Sequence, residues 1–152
     1  MKKPSIKILE NNIILISAIE HSSISKYMVH ELTDRGYTII VIPVKGDGII
    51  NMKAYEKIVI ENKNKIVFAS CMLVNNEIGT IQPISEMNRI LKKHSPSAIF
   101  HSDVGGSIGL FHKVCNDPLC IMNMLPDIVT CSCYKFHGPH YGLLMSNCKM
   151  RP

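Results

Sequence analysis

The chain has 152 residues, 46% of them hydrophobic and 19% charged, with a net charge of +5. That length is about one domain's worth and suffices for a buried core, and the composition excludes a disordered or collagen-like chain. No apolar run approaches the roughly 20 residues that span a bilayer, which excludes a transmembrane helix and a membrane partner. The basic residues are spread along the chain with no aromatic interleaving, and no nucleic acid is expected as a partner.

The elements alternate in chain order. Residues 12–18 are an Ile-rich apolar run of strand length. Met1-Lys2-Lys3 ahead of it is similar to the start of a signal peptide, but Pro4 and Glu10 interrupt the pattern and no small-residue cleavage site follows. A cytoplasmic location is therefore expected. Residues 22–35 place Ile24, Tyr27, Met28 and Leu32 at helical spacing, and Gly36 supplies a stop. Residues 37–44 form a second β-branched run, followed by the turn chemistry of Lys45-Gly46-Asp47-Gly48. Asn51 caps a predicted helix to about Glu61, with Met52, Tyr55, Ile58 and Val59 on one face. Residues 65–71 are a third strand. Pro83 opens a helix to about His94 with Ile84, Met87, Ile90 and Leu91 inward, and Lys92 and Lys93 near its end suit the helix dipole. Strands at 98–103, 127–132 and 142–146 complete the pattern.

Apolar strands separated by helices predict βαβ units and a mostly parallel sheet covered on both faces. Ligands of such sheets bind outside the carboxyl ends of the strands. His21, Asn76, Asp103, Ser132 and Lys135 each end or follow a predicted strand. They are expected around one cavity on one rim. The six cysteines, Cys71, Cys115, Cys120, Cys131, Cys133 and Cys148, contain no C-x-x-C pair. Most are read as small buried hydrophobes in a reducing compartment, with no metal site.

Lys135 is either a solvated surface cation or a partly buried amine that condenses with an aldehyde. The commonest such aldehyde is pyridoxal phosphate, which needs a carboxylate against its pyridine nitrogen. Asp103 is a candidate for that carboxylate, its alternative being a helix or turn cap ahead of Val104-Gly105-Gly106. His21 would cover the ring face, and Ser132 would offer a hydroxyl to the phosphate.

In this order the residues resemble the cysteine desulfurase and selenocysteine lyase family, in the class V aminotransferase group of pyridoxal-phosphate enzymes. Glu20-His21-Ser22-Ser23-Ile24 is similar to E-H-x-S-I, whose His stacks on the cofactor. Met72-Leu73-Val74-Asn75-Asn76-Glu77-Ile78-Gly79 is similar to M-x-x-N-N-E-x-G, whose second Asn lies near the phenolic oxygen. His101-Ser102-Asp103 resembles H-x-D, whose Asp pairs with the pyridine nitrogen. Ser132-x-x-Lys135-Phe136-x-Gly138-Pro139-x-x-Gly142 resembles S-G-H-K-F-x-G-P-[KR]-x-G, whose Lys carries the cofactor. The chain departs from the pattern at Gly106, where the family has Gln, at Tyr134, where it has His, and at His140, where it has Lys or Arg.

The resemblance implies a three-layer α/β domain of the aspartate-aminotransferase type (fold type I), read as one partial cofactor domain over residues 1–152 and truncated at both ends. It implies Lys135 and His21 as catalytic residues. Lys135, Asp103, His21, Asn76, Ser132 and Tyr134 are its expected contacts to pyridoxal 5'-phosphate. Cysteine is the implied substrate, and a homodimer or a second chain would complete the site. The family's phosphate loop, persulfide-forming Cys and substrate-gripping Arg find no counterpart, so weak cofactor binding and little activity are expected. The alternative is a non-catalytic remnant or interaction protein that keeps only the fold.

Overall fold

A computed structural model describes residues 12–107 and 126–146. Six strands form one sheet: β1 (Ile13–Ser17), β2 (Thr38–Ile42), β3 (Ile66–Ser70), β4 (Ile99–Asp103), β5 (Ile128–Ser132) and β6 (Gly142–Ser146). Their order is β2-β1-β3-β4-β5-β6. The first five run parallel, and β6 pairs antiparallel with β5. The connections from β1 to β2, from β2 to β3 and from β3 to β4 run through helices, because a parallel neighbour requires a crossover.

β1 is buried along its whole length, so its side chains serve two layers. Ile13 and Leu15 face a core shared with α2 (Met52–Glu61) and α3 (Ile84–His94), while Ile14 and Ile16 face the other side. Asn51 caps α2 by accepting from the Ala54 amide at 3.2 Å. Tyr55 and Val59 from α2 are fully buried beside Ile84, Met87, Ile90 and Leu91 of α3. Each helix presents one apolar stripe at the expected spacing. The Tyr55 hydroxyl donates to the Met87 carbonyl at 3.0 Å and ties the two helices together.

The opposite layer differs from the sequence reading. Residues 22–35 form a π-turn, Ser23–Met28, followed by a short α1, Val29–Asp34. The wider turn rotates the stripe, so Tyr27 is 76% exposed while Ile24 is buried. Met28, Val29 and Leu32 still pack against Ile14, Ile16 and Ile24. Gly36 does end the element, at φ +88. β6 is the antiparallel edge strand of this mostly parallel sheet, with all five residues exposed.

Lys92 does more than complement the α3 dipole. Its Nζ donates to the Ala98 carbonyl at 2.6 Å and meets Asp127 Oδ2 at 2.6 Å. The same Asp127 oxygen accepts from the Phe100 amide at 2.7 Å. Lys92→Ala is therefore expected to lower stability by about 1.5–3 kcal/mol, the range for hydrogen bonds to charged groups, whereas exposed Lys93→Ala leaves it unchanged. Chemical denaturation of the two variants checks this. Equal midpoints would remove the role assigned to Lys92.

Candidate active site

Among the described residues, two clefts lie at the carboxyl ends of the parallel strands. The first, of about 370 Å³, lies between the loops after β1 and β3 and is lined by Glu20, His21, Asn75, Asn76 and Glu77. Asn75 is the structural member of its pair. Its Oδ1 accepts from the Glu77 and Ile78 amides, both at 2.9 Å, and its Nδ2 donates to the Ile19 carbonyl at 2.9 Å. Asn76 is exposed at the cleft wall. His21 Nδ1 lies 2.9 Å from Ser23 Oγ and accepts from the Ser23 amide at 3.3 Å. An amide only donates, so a neutral His21 carries its ring proton on Nε2.

The second cleft, of about 350 Å³, lies beside β4, β5 and β6 and is lined by Ser23, Asp103, Thr130, Ser132, Leu143 and Leu144 among others. Asp103 caps its own turn: Oδ1 accepts from the Gly105 amide at 2.8 Å. Lys135 stands in the 3-10 turn Cys133–Phe136 that directly follows β5. A Cβ on Gly105 would lie 3.0 Å from Asp103 Oδ1 and 3.5 Å from Lys135 Nζ. Carboxylate and amine thus converge on one glycine that has no side chain to separate them. Lys135 itself is exposed.

The five rim residues are therefore divided. His21 and Asn76 line one cleft, Asp103 and Ser132 the other, and Lys135 reaches Gly105 beside Asp103. The His21–Ser23 contact joins the two, since Ser23 lines the second cleft. Tyr134 lines neither of these clefts. It is 52% exposed, and its ring stacks on that of His140, with centroids 5.4 Å apart. At Gly106 a Cβ would lie 3.2 Å from the Val74 carbonyl, so a Gln there would push that backbone by a few tenths of an ångström.

Two buried groups under the rim were missed by sequence reasoning. His101 is buried between Ser70 Oγ on Nδ1 and Thr130 Oγ1 on Nε2, both at 2.9 Å, and its ring stacks on Phe68. Burial holds its pKa below the usual histidine value, with the Asp103 charge partly offsetting this. Glu20 is buried at the end of β1, and burial raises its carboxyl to about 7. A carboxylate closing an otherwise apolar strand was the available signal for Glu20. Cys71, Cys131 and Cys133 are free and buried as expected. Burial raises the thiols of Cys71 and Cys131. Cys115, Cys120 and Cys148 lie outside the described residues. No helix among the described residues is long and apolar enough to cross a membrane, and they hold no metal-ligand cluster.

A family model described as aminotransferase class-V matches residues 4–144. Among curated proteins, a cysteine desulfurase of Cereibacter sphaeroides is 31% identical over 126 residues, 83% of this chain and 30% of that protein. A NifS/IcsS protein homolog of Lactobacillus delbrueckii subsp. bulgaricus is 35% identical over 126 residues, 83% of this chain and 30% of the other. Among solved structures, a NifS-like protein superposes with a TM-score of 0.79 at 29% identity, covering 93% of this chain and 36% of that one. SspA in complex with cysteine superposes at 0.72 with 26% identity, covering 90% and 35%. The chain spans about a third of the length of the curated relatives it matches. The three-layer fold, the motif order and these matches together show that the chain belongs to the class V aminotransferase family of pyridoxal-phosphate-dependent proteins, as a cysteine-desulfurase-like domain.

Proposed function

We propose that this chain holds pyridoxal phosphate on Lys135 and acts on the Cα of cysteine as part of a desulfurase. The observation that carries the reading is the convergence of Lys135 Nζ and Asp103 Oδ1 on Gly105. The residues fit the group: an amine and a carboxylate share one rim position, and the adjoining cleft of about 350 Å³ has the Ser132 hydroxyl in its wall. Bound there, the cofactor would supply an electron sink for a bond broken at Cα. Lys135 Nζ would carry the cofactor and, once freed by transfer of the cofactor to the substrate amine, would accept the Cα proton. Asp103 would face the pyridine nitrogen and favour its protonated form. His21, oriented through Nδ1 by Ser23, would offer its ring face, while Asn76 and Ser132 would donate hydrogen bonds. Tyr134, turned onto His140, would reach the phosphate only by giving up that stack.

Cysteine is proposed as the substrate because desulfurases recur among the relatives and SspA is described in complex with cysteine. A homodimer, or a second chain completing the cofactor domain, is the proposed assembly. Three buried, unbridged thiols support a reducing, cytoplasmic setting.

The test is borohydride reduction of the protein with pyridoxal phosphate, followed by peptide mass analysis. A pyridoxyl group on Lys135 is expected, abolished in Lys135→Ala and retained in Lys93→Ala. Lys92 is unsuitable as the control because it holds Asp127. A label scattered over surface lysines, or one that survives Lys135→Ala, would leave the remnant reading in its place.

A further inference from the structure

Glu20 is 8% exposed, yet its two oxygens are treated differently. Oε1 accepts from Ser17 Oγ and from the Met72 amide, both at 2.8 Å. Oε2 is buried, with no hydrogen-bond partner among the described residues. The Met72 bond crosses from the end of β1 to the loop after β3. A second bond, Asn75 Nδ2 to the Ile19 carbonyl, crosses between the same two loops. Between them lies the first cleft, with His21 on one wall and Asn76 on the other.

We propose that Glu20 is a positioning residue: its neutral carboxyl clamps the His21 loop to the Asn75–Asn76 loop, and its ionisation releases the clamp. A neutral carboxyl can leave one oxygen unpaired in a buried position at modest cost, whereas a carboxylate there cannot. Burial is the largest influence on Glu20, and Asp103 at the end of β4 adds to it. The hydroxyls of Ser17 and Ser70 and the Met72 amide pull the other way and do not prevail. The Cys71 thiol after β3 is itself raised by Glu20, and His21 and Glu77 face the same cleft. The result is a carboxyl raised from 4.5 to about 7 while the clamp is closed. Once the loops part, water reaches the group and its ordinary value returns. The closed form binds the proton more tightly, so closure is strongest below about pH 4.5. It weakens as pH rises to about 7 and changes little beyond that.

The positioning role rests on the reading that the His21–Asn76 cleft serves the cofactor; the clamp itself does not. Amide hydrogen exchange on the full chain without added cofactor tests it, with rates corrected for intrinsic exchange. Between pH 4.5 and 7.5 the protection of the Met72 amide is expected to fall on the order of a hundredfold. Leu15, in the middle of β1, should not follow. Glu20→Gln keeps an acceptor and cannot ionise, so its Met72 protection should be flat with pH. A flat wild-type profile, a fall shared equally by Leu15, or an unchanged fall in Glu20→Gln would each overturn the clamp. Borohydride trapping on Lys135 is scored separately in the same samples. A pH-dependent Met72 amide with no trapped label keeps the clamp and removes the cofactor reading, and the reverse pattern does the opposite.

Discussion

An assay of the chain alone with cysteine, reductant and saturating pyridoxal phosphate is expected to release no more sulfide than the free cofactor does. Persulfide formation needs a thiolate that can reach the substrate sulfur. Cys71, Cys131 and Cys133 are buried, and burial keeps Cys71 and Cys131 protonated. The substrate carboxylate also needs a cation, for which a bidentate Arg is best suited. Arg35, at the end of α1, is engaged with Glu31, and Arg89 on α3 with Glu86, each at 2.6 Å. Neither lines a rim cleft. Orientation contributes up to ~7–11 kcal/mol in well-arranged sites, and losing ~4 kcal/mol costs about a thousandfold in rate. Turnover well above the free cofactor, abolished by Lys135→Ala, would contradict this and assign the thiolate to Cys115, Cys120 or Cys148.

Phe100→Ala should have the largest effect on stability. Phe100 is fully buried in β4, pairs with Ala69 of β3, and fills the layer shared with α2 and α3. Removing a buried Phe side chain costs about 3–5 kcal/mol, the lost transfer energy plus the cavity left behind. With a urea slope of ~1–3 kcal/mol/M, the midpoint should fall by roughly 1–5 M at unchanged slope. Leu144→Ser, on exposed β6, should stay within about 0.5 kcal/mol of the parent. Similar midpoints for the two variants would mean that this core does not carry the fold.

The most legible parts of the chain were those where one physical signal acts alone. α3 has a strict apolar stripe and a proline at its start, and its four predicted inward residues are buried. The strands were legible because parallel pairing buries both faces and makes continuous apolar runs. The π-turn was not: Ile24, Tyr27, Met28 and Leu32 fit an α-helical stripe, and only packing against Ile14 and Ile16 selects the wider turn. At the rim, the order along the chain brought Asp103 and Lys135 to neighbouring strand ends. It could not say that His21 and Asn76 would line a different cleft from Asp103, since that depends on how far each loop folds back. Asn75 and Asn76 are chemically identical in sequence, and an Asx turn, visible only in three dimensions, separates the scaffold from the cleft wall. Glu20 escaped for a related reason. A carboxyl after an apolar strand reads as solvated until the Met72 amide is found against it.

The position of β1 inside the sheet also bears on how the chain is made. Ile13 pairs with Thr38 on one side and with Ile66 on the other. A chain emerging from its N-terminus gives β1 its first neighbour when β2 is complete at Ile42, and the second only when β3 is complete at Ser70. At ~5–20 residues per second the wait from the end of β1 is roughly 3–10 s. During that interval an uncharged Ile-Ile-Leu-Ile-Ser edge is open to any other strand that can add to it. β1 waits longer than β3 or β4 for its second neighbour, so synthesis through residues 66–70 gates productive folding. A chain halted before that point would display the sheet's most fully buried strand as a template for aggregation.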